Sequence, residues 1–373
     1  MTVGKWTYLS VCTALVFAMS GSIVAAPTLK MHVFDAQPSS GNENDVAEIK
    51  TVTNTYQLAE SVNNKAKEPE TLKLHVYDRT PEKRTPPLSY DYADVYLKTG
   101  YRRDELQWNK AGLGGQPNIL SELTWDDIEI ATINLGATFY LKNNWFLNGD
   151  IVWGEIFDGK NQDSDYLGNN RTMEFSRSNN GADEGNILDI SVAFGHRFEW
   201  PLNQANTSRF ELRPKLGLSY HSQNLKAVDG YQTIPANGAF AGLDSSYDTT
   251  WFGPWAGLET IFIKHNKFEL GLNLEYHYID YDAEAEWNLR SDFAQPVSFE
   301  HEADGSGWVA GINSKWYFSP DLAMTFDFEY QKWLADRNGV DKIYFSDGSE
   351  ARLKFNEADW ESYGFSLGLN YDF

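Results

Sequence analysis

Residues 360–373, the last stretch of the chain, form the pattern that most limits its fold. The stretch reads WESYGFSLGLNYDF, and apolar side chains alternate in it with small or polar ones. The apolar parity consists of Tyr363, Phe365, Leu367, Leu369, Tyr371 and Phe373. A period of two predicts a β-strand with one apolar face. Because that face is aromatic at both ends and aliphatic in the middle, the pattern is typical of a strand that crosses a bilayer.

An edge strand of a soluble β-sandwich is the alternative interpretation of this pattern, and composition helps to choose between the two. The chain is 15% aromatic and includes 13 Trp, yet its mean hydropathy is −0.49. Beyond the N-terminus the sequence has no apolar run of about 18 residues, so transmembrane helices are not expected. A transmembrane barrel explains both properties, because its outward face is rich in aromatic residues and its lumen is polar.

Ten segments between residues 92 and 373 alternate in the same way. They are predicted at residues 92–109, 119–141, 145–157, 187–200, 210–225, 247–263, 268–286, 307–318, 322–334 and 360–373. Short turns alternate with long loops between these segments, as in outer-membrane barrels with periplasmic turns and extracellular loops. The sequence therefore predicts an all-β fold, a transmembrane antiparallel barrel of about ten strands. Eight or twelve strands are the alternatives.

Charged side chains recur on the other parity of these segments. They include Arg197, Glu211, Arg213, Lys215, Glu269, Glu275, Lys315, Asp327 and Glu329. Facing hydrocarbon, each Lys or Arg would cost about 2–4 kcal/mol at the bilayer midplane, whereas opposite charges inside a narrow barrel can pair. We therefore expect a plugged lumen whose polar network includes His221 and His277. A general diffusion pore is not expected, since open porins need about 16–18 strands.

Residues 1–26 have the features of a secretory signal peptide, with Lys5, an apolar centre and small residues near Ala25. The single cysteine, Cys12, lies inside this segment, so the mature chain has no thiol chemistry. Residues 27–91 are predicted to be a periplasmic extension in which TLKMHVFD (28–35) returns as TLKLHVYD (71–78). The two copies either form small strands that pair with each other or dock on the barrel, or belong to a flexible linker.

The formal net charge of the chain is −22. Nucleic-acid binding is not expected from that balance, since phosphate contacts need clustered Lys and Arg. A solvated acidic surface explains the charge, and so do acidic loops that face a lipopolysaccharide layer rich in divalent ions. No cofactor or metal site is predicted, because two repeated histidines without further ligands are weak evidence. Lipopolysaccharide remains the one bound lipid to consider.

The C-terminal strand, with its aromatic last residue Phe373, resembles the closing strand and assembly signal of bacterial outer-membrane barrels. Residues 92–373 also resemble the omptins, which are ten-stranded outer-membrane proteases. The resemblance rests on a glycine pair followed by Ser-x-Leu-x-Trp at residues 121–125 and on Asp-Ser-Asp at 163–165. It rests further on residues 247–258, on Phe-Glu-Leu-Gly at 268–271 and on the end of the chain, residues 367–373.

The resemblance implies a candidate catalytic site. In omptins an aspartate pair spaced i,i+2 faces an Asp-x-His across a cleft, and the His-Asp dyad activates a water molecule. Asp163 and Asp165 match the first half of this site. The second half falls at residues 286–288, where Glu286 could stand for the aspartate but Asn288 cannot accept the proton. His301, on the other arm of the same hairpin, is the alternative base.

Residues 171–180, RTMEFSRSNN, lack the omptin signature that follows the aspartate pair. The favoured interpretation is therefore an omptin-like outer-membrane barrel without the full protease dyad, which acts through its surface loops in adhesion, host contact or lipopolysaccharide binding. The first alternative is an active endopeptidase that uses Asp163, Asp165, Glu286 and His301. The second is a narrow channel. The expected partners are outer-membrane lipid, the barrel assembly machinery through Phe373, and a peptide or host-surface ligand.

Overall fold

The computed structural model describes residues 90–373. The predicted signal peptide and the duplicated motif lie outside the described residues. Within residues 90–373 no helix is long and apolar enough to cross a membrane.

The described chain is built from antiparallel strands joined by turns. The strands are β1 (Tyr90–Lys110), β2 (Ser121–Leu141), β3 (Trp145–Gly168), β4 (Thr172–Gly181), β5 (Gly185–His196), β6 (Phe198–Pro201), β7 (Arg209–Ile234), β8 (Gly238–Ala239), β9 (Asp244–Lys264), β10 (Phe268–Glu286), β11 (Phe299–Tyr317), β12 (Leu322–Tyr344) and β13 (Glu350–Asp372). Two short 3₁₀ turns, Leu113–Gly115 and Lys142–Asn144, complete the list.

The strands close into a ring of ten. Each long strand pairs with its neighbour in sequence, and β1 pairs with β13 along a register that runs from Asp94↔Asp372 to Lys110↔Phe355. The strands β4 and β5 occupy two levels of one wall, since both pair with β3 and with β7. Closure removes the free strand edges of an open sheet. The predicted antiparallel barrel of about ten strands is thereby confirmed.

The two ends of the barrel differ as the sequence indicated. Tight turns connect β2 to β3, β9 to β10 and β11 to β12 at the end where β1 begins and β13 finishes. The turn from β2 to β3 consists of the three residues Lys142–Asn144, and at Asn143 and Asn144 its backbone has φ angles of 60° and 63°, which asparagine tolerates. Longer connections and extended hairpins occupy the opposite end. By the rule for outer-membrane barrels, the tight turns are periplasmic.

A belt of exposed apolar side chains surrounds the half of the barrel next to the tight turns. On β13 the residues Phe365, Leu367 and Leu369 are 50–53% exposed, and Tyr363 and Tyr371 flank them. Trp308 and Tyr330 contribute to the same band on neighbouring strands. Ten residues at about 3.3 Å each, tilted in the barrel, span roughly the 25 Å apolar height of an outer membrane. The belt is therefore the membrane-facing surface.

The strands continue far beyond the belt on the side of the long connections. Residues 158–186, 335–344 and 350–359, which the sequence placed in loops, are largely strand. In β13 the 13 residues 350–362 precede the apolar run, which adds roughly 40 Å of strand at about 3.3 Å per residue. The external part of this protein is consequently a continuation of the barrel and not a set of loose loops.

The interior of this external part is filled by a hydrophobic core. Trp108, Trp125, Trp251, Trp333 and Trp360 are at most 1% exposed. The core cluster draws residues from every one of the ten walls of the ring. Ring contacts such as Trp251–Trp360, with centroids 5.6 Å apart, and Trp125–Tyr247, with centroids 5.3 Å apart, join strands that are not neighbours in the sheet. The core therefore spans the full cross-section above the membrane, as the predicted plugged lumen requires.

Candidate functional site

Asp163 and Asp165 lie on β3 above the belt, in a strand and not in a loop. Cross-strand neighbours share one face of a sheet, and Asp163 is opposite Leu123, which is 2% exposed, while Asp165 is opposite Ser121. Both carboxylates therefore face the interior at the rim of the barrel. The register shift at Glu129 and Asp158 makes this possible, because it changes which parity of β3 points inward.

Two cations act on the aspartate pair. Lys110 is opposite Ser121, so Lys110, Ser121 and Asp165 form one row across β1, β2 and β3. Arg290, from the connection between β10 and β11, attracts both carboxylates and is hydrogen-bonded to Asp292 at 2.8–2.9 Å. The pair is thus held between positive charges from two sides of the rim.

Both carboxyl groups have pKa values raised above the usual value for aspartate. Burial raises the pKa of Asp163 to about 7, with the neighbouring charge of Asp165 as the second cause, against the opposing effects of Lys110, Trp287 and Arg290. Burial also raises the pKa of Asp165, although Ser121 donates a hydrogen bond to it. Near neutral pH the pair can therefore hold a proton.

The residue that reaches Asp163 from the opposite wall is Trp287, whose indole N–H is a donor to the carboxylate. Glu286 does not point there. Along β10 the residues Ile279 and Tyr281 are buried and Asp280 is exposed, so Glu286 has the outward parity of Asp280. Alternation thus turns Glu286 away from the interior and brings Trp287 toward it.

Asn288 is engaged in a local structural role. Its side-chain oxygen accepts hydrogen bonds from the Asp244 backbone and the Ser245 hydroxyl, both at 3.1 Å, and its amide donates to the Gly242 carbonyl at 2.7 Å. These bonds fasten the start of β9 to the end of β10. The side chain of Asn288 therefore binds Gly242, just before β9, and the first two residues of β9.

His301 lies within the core and is 0% exposed. Its ring stacks on Phe355 with centroids 4.2 Å apart, and Nδ1 lies 2.8 Å from the Tyr247 hydroxyl. Nε2 lies 3.3 Å from Oδ1 of Asp341. Burial lowers the pKa of His301 to about 4 in spite of Asp341. The imidazole is therefore neutral at pH 7 and shielded from solvent.

A buried polar chain links His301 to the rim. Tyr281 and Tyr247 are hydrogen-bonded through their hydroxyls at 2.6 Å, Tyr247 contacts His301, and Asp341 lies beside it. Lys110 Nζ then lies 3.0 Å from Asp341 Oδ2. Burial alone would raise the pKa of Asp341, but His301 and Lys110 outweigh it, so its pKa is lowered. Lys110 is thus shared between the carboxylate inside the core and the pair at the rim.

These positions decide what the arrangement can do chemically. Asp163 and Asp165 can exchange a proton near neutral pH, but after burial the groups that act on Asp163 are Asp165, Lys110, Trp287 and Arg290, and none of them is a histidine. A general base must lie within about 3 Å of the proton that it abstracts, or act through one water. His301 instead has Tyr247 and Asp341 as its partners.

Sequence reasoning missed Lys110, Trp287, Arg290 and Asp341. Trp287 could have been predicted, because it has the same parity as the inward-facing residues of β10. These residues are Ile279, Tyr281, Ala283 and Ala285. Lys110 and Asp341 carry no comparable signal, since their pairing depends on the closure of β1 onto β13 and on the register of β12.

Inside the membrane-facing half, His221 and His277 belong to the lumen network, as the sequence predicted. His221 Nδ1 lies 3.0 Å from Asp189, which also binds Arg102 at 2.6 Å. His277 lies 3.0 Å from the Ser219 hydroxyl and 3.3 Å from Glu275. Among residues 90–373 no group of three His, Cys, Asp or Glu side chains is arranged to hold a metal ion.

The outer face of the β10–β11 hairpin carries like charges directly above the aromatic edge of the belt. Asp280 is opposite Asp304, Asp282 is opposite Glu302, and Glu284 is opposite Glu300. Lys342, from β12, contacts Glu302 and lies 3.8 Å from Glu300. Burial and the neighbouring carboxylates raise the pKa of Asp282. Like charges directly opposite each other destabilise a sheet, so this hairpin bears an electrostatic cost.

Comparison with known proteins places the barrel in a family. The model of a family described as Pom, Protochlamydia outer membrane protein, matches residues 96–373. Among solved structures, the outer membrane protease OmpT from Escherichia coli is 15% identical, covers 78% of this chain and 99% of its own, and has a TM-score of 0.60. A comparison with curated proteins finds no match.

Other barrels agree less well in shape. The transport unit of the autotransporter AIDA-I from Escherichia coli is 12% identical, covers 81% of this chain and 94% of its own, and has a TM-score of 0.31. Ail, the attachment invasion locus protein of Yersinia pestis, is 9% identical, covers 75% of this chain and 99% of its own, and has a TM-score of 0.24. The likeness to OmpT concerns the fold alone.

Proposed function

The chain belongs to the Protochlamydia outer membrane protein family, and we propose that it acts at the cell surface as a binding protein without the omptin dyad. It is a β-barrel of the bacterial outer membrane. The observation that supports the proposal most directly is the hydrophobic core, which takes residues from all ten walls above the membrane. That core also surrounds His301, the alternative base, which is 0% exposed and stacked on Phe355, so a peptide held at the rim would not reach it.

The residues assigned to the dyad support the same proposal. Asp163 and Asp165 face the rim, but Glu286 has the outward parity, Asn288 binds the preceding connection, and His301 is enclosed by aromatic rings. Moving His301 to the rim would break its contacts with Tyr247 and Asp341. Removing one member of such a buried network costs about 1–3 kcal/mol for each group left unsatisfied.

The external hairpins offer a surface for binding. At the tip of the β3–β4 hairpin, Leu167 and Met173 are 60% and 69% exposed, and Phe175 is 45% exposed. Tyr166↔Glu174 and Gly168↔Thr172 are paired, so Leu167 and Met173 lie side by side. Exposed apolar groups of this kind, far from the belt, mark contact sites for proteins or lipids.

A surface-binding assay tests the proposal. Bacteria that display the protein would be compared with bacteria displaying the triple variant L167S/M173S/F175S, and with a control variant, Lys160→Ser, on the outward face of the same strand. We expect adherence to cultured cells or to immobilised lipopolysaccharide to fall at least tenfold in the triple variant only. Equal adherence by all three strains would remove this hairpin from the proposal.

An active endopeptidase is the second candidate, because the pKa of Asp163, about 7, suits proton exchange at neutral pH. The refolded barrel would be offered quenched peptides containing basic residues, in the presence of lipopolysaccharide. Cleavage that disappears in D163A/D165A and in H301A, but persists in H277A, would establish the enzyme. No cleavage by a barrel shown to be folded would support the surface-binding proposal.

A narrow channel is the third candidate, and the core that crosses the ring argues against it.

The last residue of the chain carries a proposal about assembly. Phe373 is 70% exposed at the end of β13, and we propose that it is the contact for the barrel assembly machinery. Deletion of Phe373 should lower the fraction of heat-modifiable, folded protein in outer membranes, whereas an unchanged fraction would exclude that role.

A further inference from the structure

The membrane-facing half of the lumen encloses a cavity of about 300 Å³ below the hydrophobic core. A water molecule occupies about 30 Å³ in the liquid, so the space corresponds to roughly ten waters or one small solute. A second cavity, of about 590 Å³, lies among the residues of the tight turns, and Glu269 lines both. The lumen cavity therefore lies below the core, and Glu269 stands between it and the cavity at the periplasmic end.

The charges around the lumen cavity do not balance. Within the described residues 90–373, eight carboxylates and five Lys or Arg side chains line it. Each of the five cations lies within 4.0 Å of a carboxylate of this lining, as in Lys98–Asp327 at 2.8 Å and Arg102–Asp189 at 2.6 Å. Three carboxylates are left over. His221 and His277 contact Asp189 and Glu275, which already have cationic partners.

The three remaining carboxylates are Asp150, Glu269 and Glu329. Glu269 accepts a hydrogen bond from Tyr317 at 3.1 Å near the periplasmic mouth. Glu329 accepts one from the Gln331 amide at 2.6 Å. In the described part of the chain Asp150 and Glu329 have no cation within 4.0 Å. Each is an acceptor that can still take a positively charged donor.

Polar side chains in the wall also have atoms without a hydrogen-bond partner among residues 90–373. Two of these side chains are Thr325, which is 2% exposed and has none at its hydroxyl, and Trp255, which is 5% exposed and has none at its indole N–H. Both line the cavity. Buried polar groups are normally satisfied by protein or by a bound molecule. The same cavity thus has unpaired charge and unsatisfied polar atoms in its wall.

We propose that this cavity is a binding site for a small aliphatic ammonium or diammonium ion from the periplasm, with Asp150 and Glu329 as its counter-ions. An ammonium group brings three N–H donors to acceptor oxygens. The indole of Trp255, over which Lys215 Nζ already lies at 5.6 Å, offers a cation-binding face. No three acidic or histidine side chains of the described residues are close enough for a metal ion, so a cation with its own donors fits better.

If the proposal is correct, binding of the ammonium ion is accompanied by a measurable release of protons. In a low-dielectric lumen an unpaired carboxylate is neutralised either by a proton or by a bound cation. Glu275 and Asp189 act on both carboxylates. Lys98 and Lys215 act on Asp150, and Asp150 in turn acts on Glu329. When an ammonium ion binds a protonated carboxyl, the O–H bond breaks, the proton leaves to solvent, and the carboxylate pairs with the ammonium. Binding should therefore strengthen as pH rises and release up to one proton per carboxyl.

The test is calorimetric titration of the refolded full-length protein with 1,4-diaminobutane, in two buffers of different ionisation enthalpy. The double variant D150N/E329Q removes the counter-ions. The double variant E155Q/E284Q removes two exposed carboxylates from the outer surface and is the matched control for net charge. A third variant, Gln331→Lys, places a tethered ammonium beside Glu329 and should occupy the site. Folding of every variant would be checked by heat modifiability on gels.

We expect binding with proton release in the wild type and the control, and at least tenfold weaker binding in D150N/E329Q and in Gln331→Lys. Potassium ions at equal concentration should compete weakly. The proposal is overturned if the folded wild type does not bind the diamine. It is equally overturned if D150N/E329Q binds as tightly as the wild type, since binding would then occur outside the lumen.

Discussion

Replacing Asp163 with asparagine should remove a pH dependence from the stability of the barrel. In the folded protein the pKa of Asp163 is raised to about 7 from its usual 3.8. Between these values the unfolded chain has lost the proton while the folded chain retains it. Stability therefore falls as pH rises from about 4 to about 7, and it levels off above that range. Asparagine mimics the protonated form at every pH.

The size of the effect follows from the same numbers. The rise of the pKa by about 3 corresponds to about 4 kcal/mol at about 1.4 kcal/mol for each pKa unit. Because Asp165 is also buried and can take up part of the charge, a gain of about 1–4 kcal/mol is expected for D163N at pH 8. At pH 4 the variant and the wild type should be nearly equal in stability.

The assay is urea unfolding and refolding in lipid vesicles, followed by tryptophan fluorescence at pH 4 and pH 8. Glu155→Gln, on the outward face of the same strand, is the control and should behave as the wild type at both values. A D163N variant that is stabilised equally at pH 4 and pH 8, or destabilised at pH 8, would refute the reasoning. Either outcome would mean that Asp163 is ionised in the folded barrel well below pH 7.

Three further predictions concern the core and the outer face. His301→Ala should cost about 3 kcal/mol of unfolding free energy, since it leaves a cavity, an unsatisfied Tyr247 hydroxyl contact and an Asp341 with Lys110 as its remaining partner; an unfolding midpoint within error of the wild type would contradict this. The double variant W333A/W360A should give stepwise conductance in planar bilayers where the wild type is silent, and equal silence would show that other core residues suffice as a seal. Asp282→Lys should add about 0.5 kcal/mol of stability at low salt, and the gain should vanish at about 0.5 M salt. A gain that persists in high salt would exclude charge repulsion as its cause.

The membrane half of the fold could be predicted from the sequence, because the two faces of each strand there have different surroundings. Tyr363, Phe365 and Leu367 face lipid while the intervening residues face a polar lumen, so the period of two is visible over the whole strand. Above the membrane that contrast is lost. Around Asp163 both faces of β3 carry polar side chains, and the sequence predicted a loop where the barrel continues.

The candidate site was only partly predictable for a related reason. The i,i+2 spacing of Asp163 and Asp165 indicated a shared face, and the structure agrees. That this face points inward depends on a register irregularity between β2 and β3, which alternation alone does not reveal. The partners Lys110 and Asp341 come together only when the ring closes, since they lie more than two hundred residues apart in sequence.

The hydrophobic core above the membrane has a consequence for how temperature acts on this barrel. Lipid-facing side chains remain in lipid or detergent when the strands separate, but the core enclosed by Trp108, Trp251 and Trp360 would meet water. Exposure of apolar surface to water raises the heat capacity by about 0.45 cal/K/mol for each Å². The external half should accordingly have a curved stability profile and weaken on cooling, as water-soluble proteins do. The membrane half should lack that curvature, so one continuous ring of strands would respond to cold in two different ways.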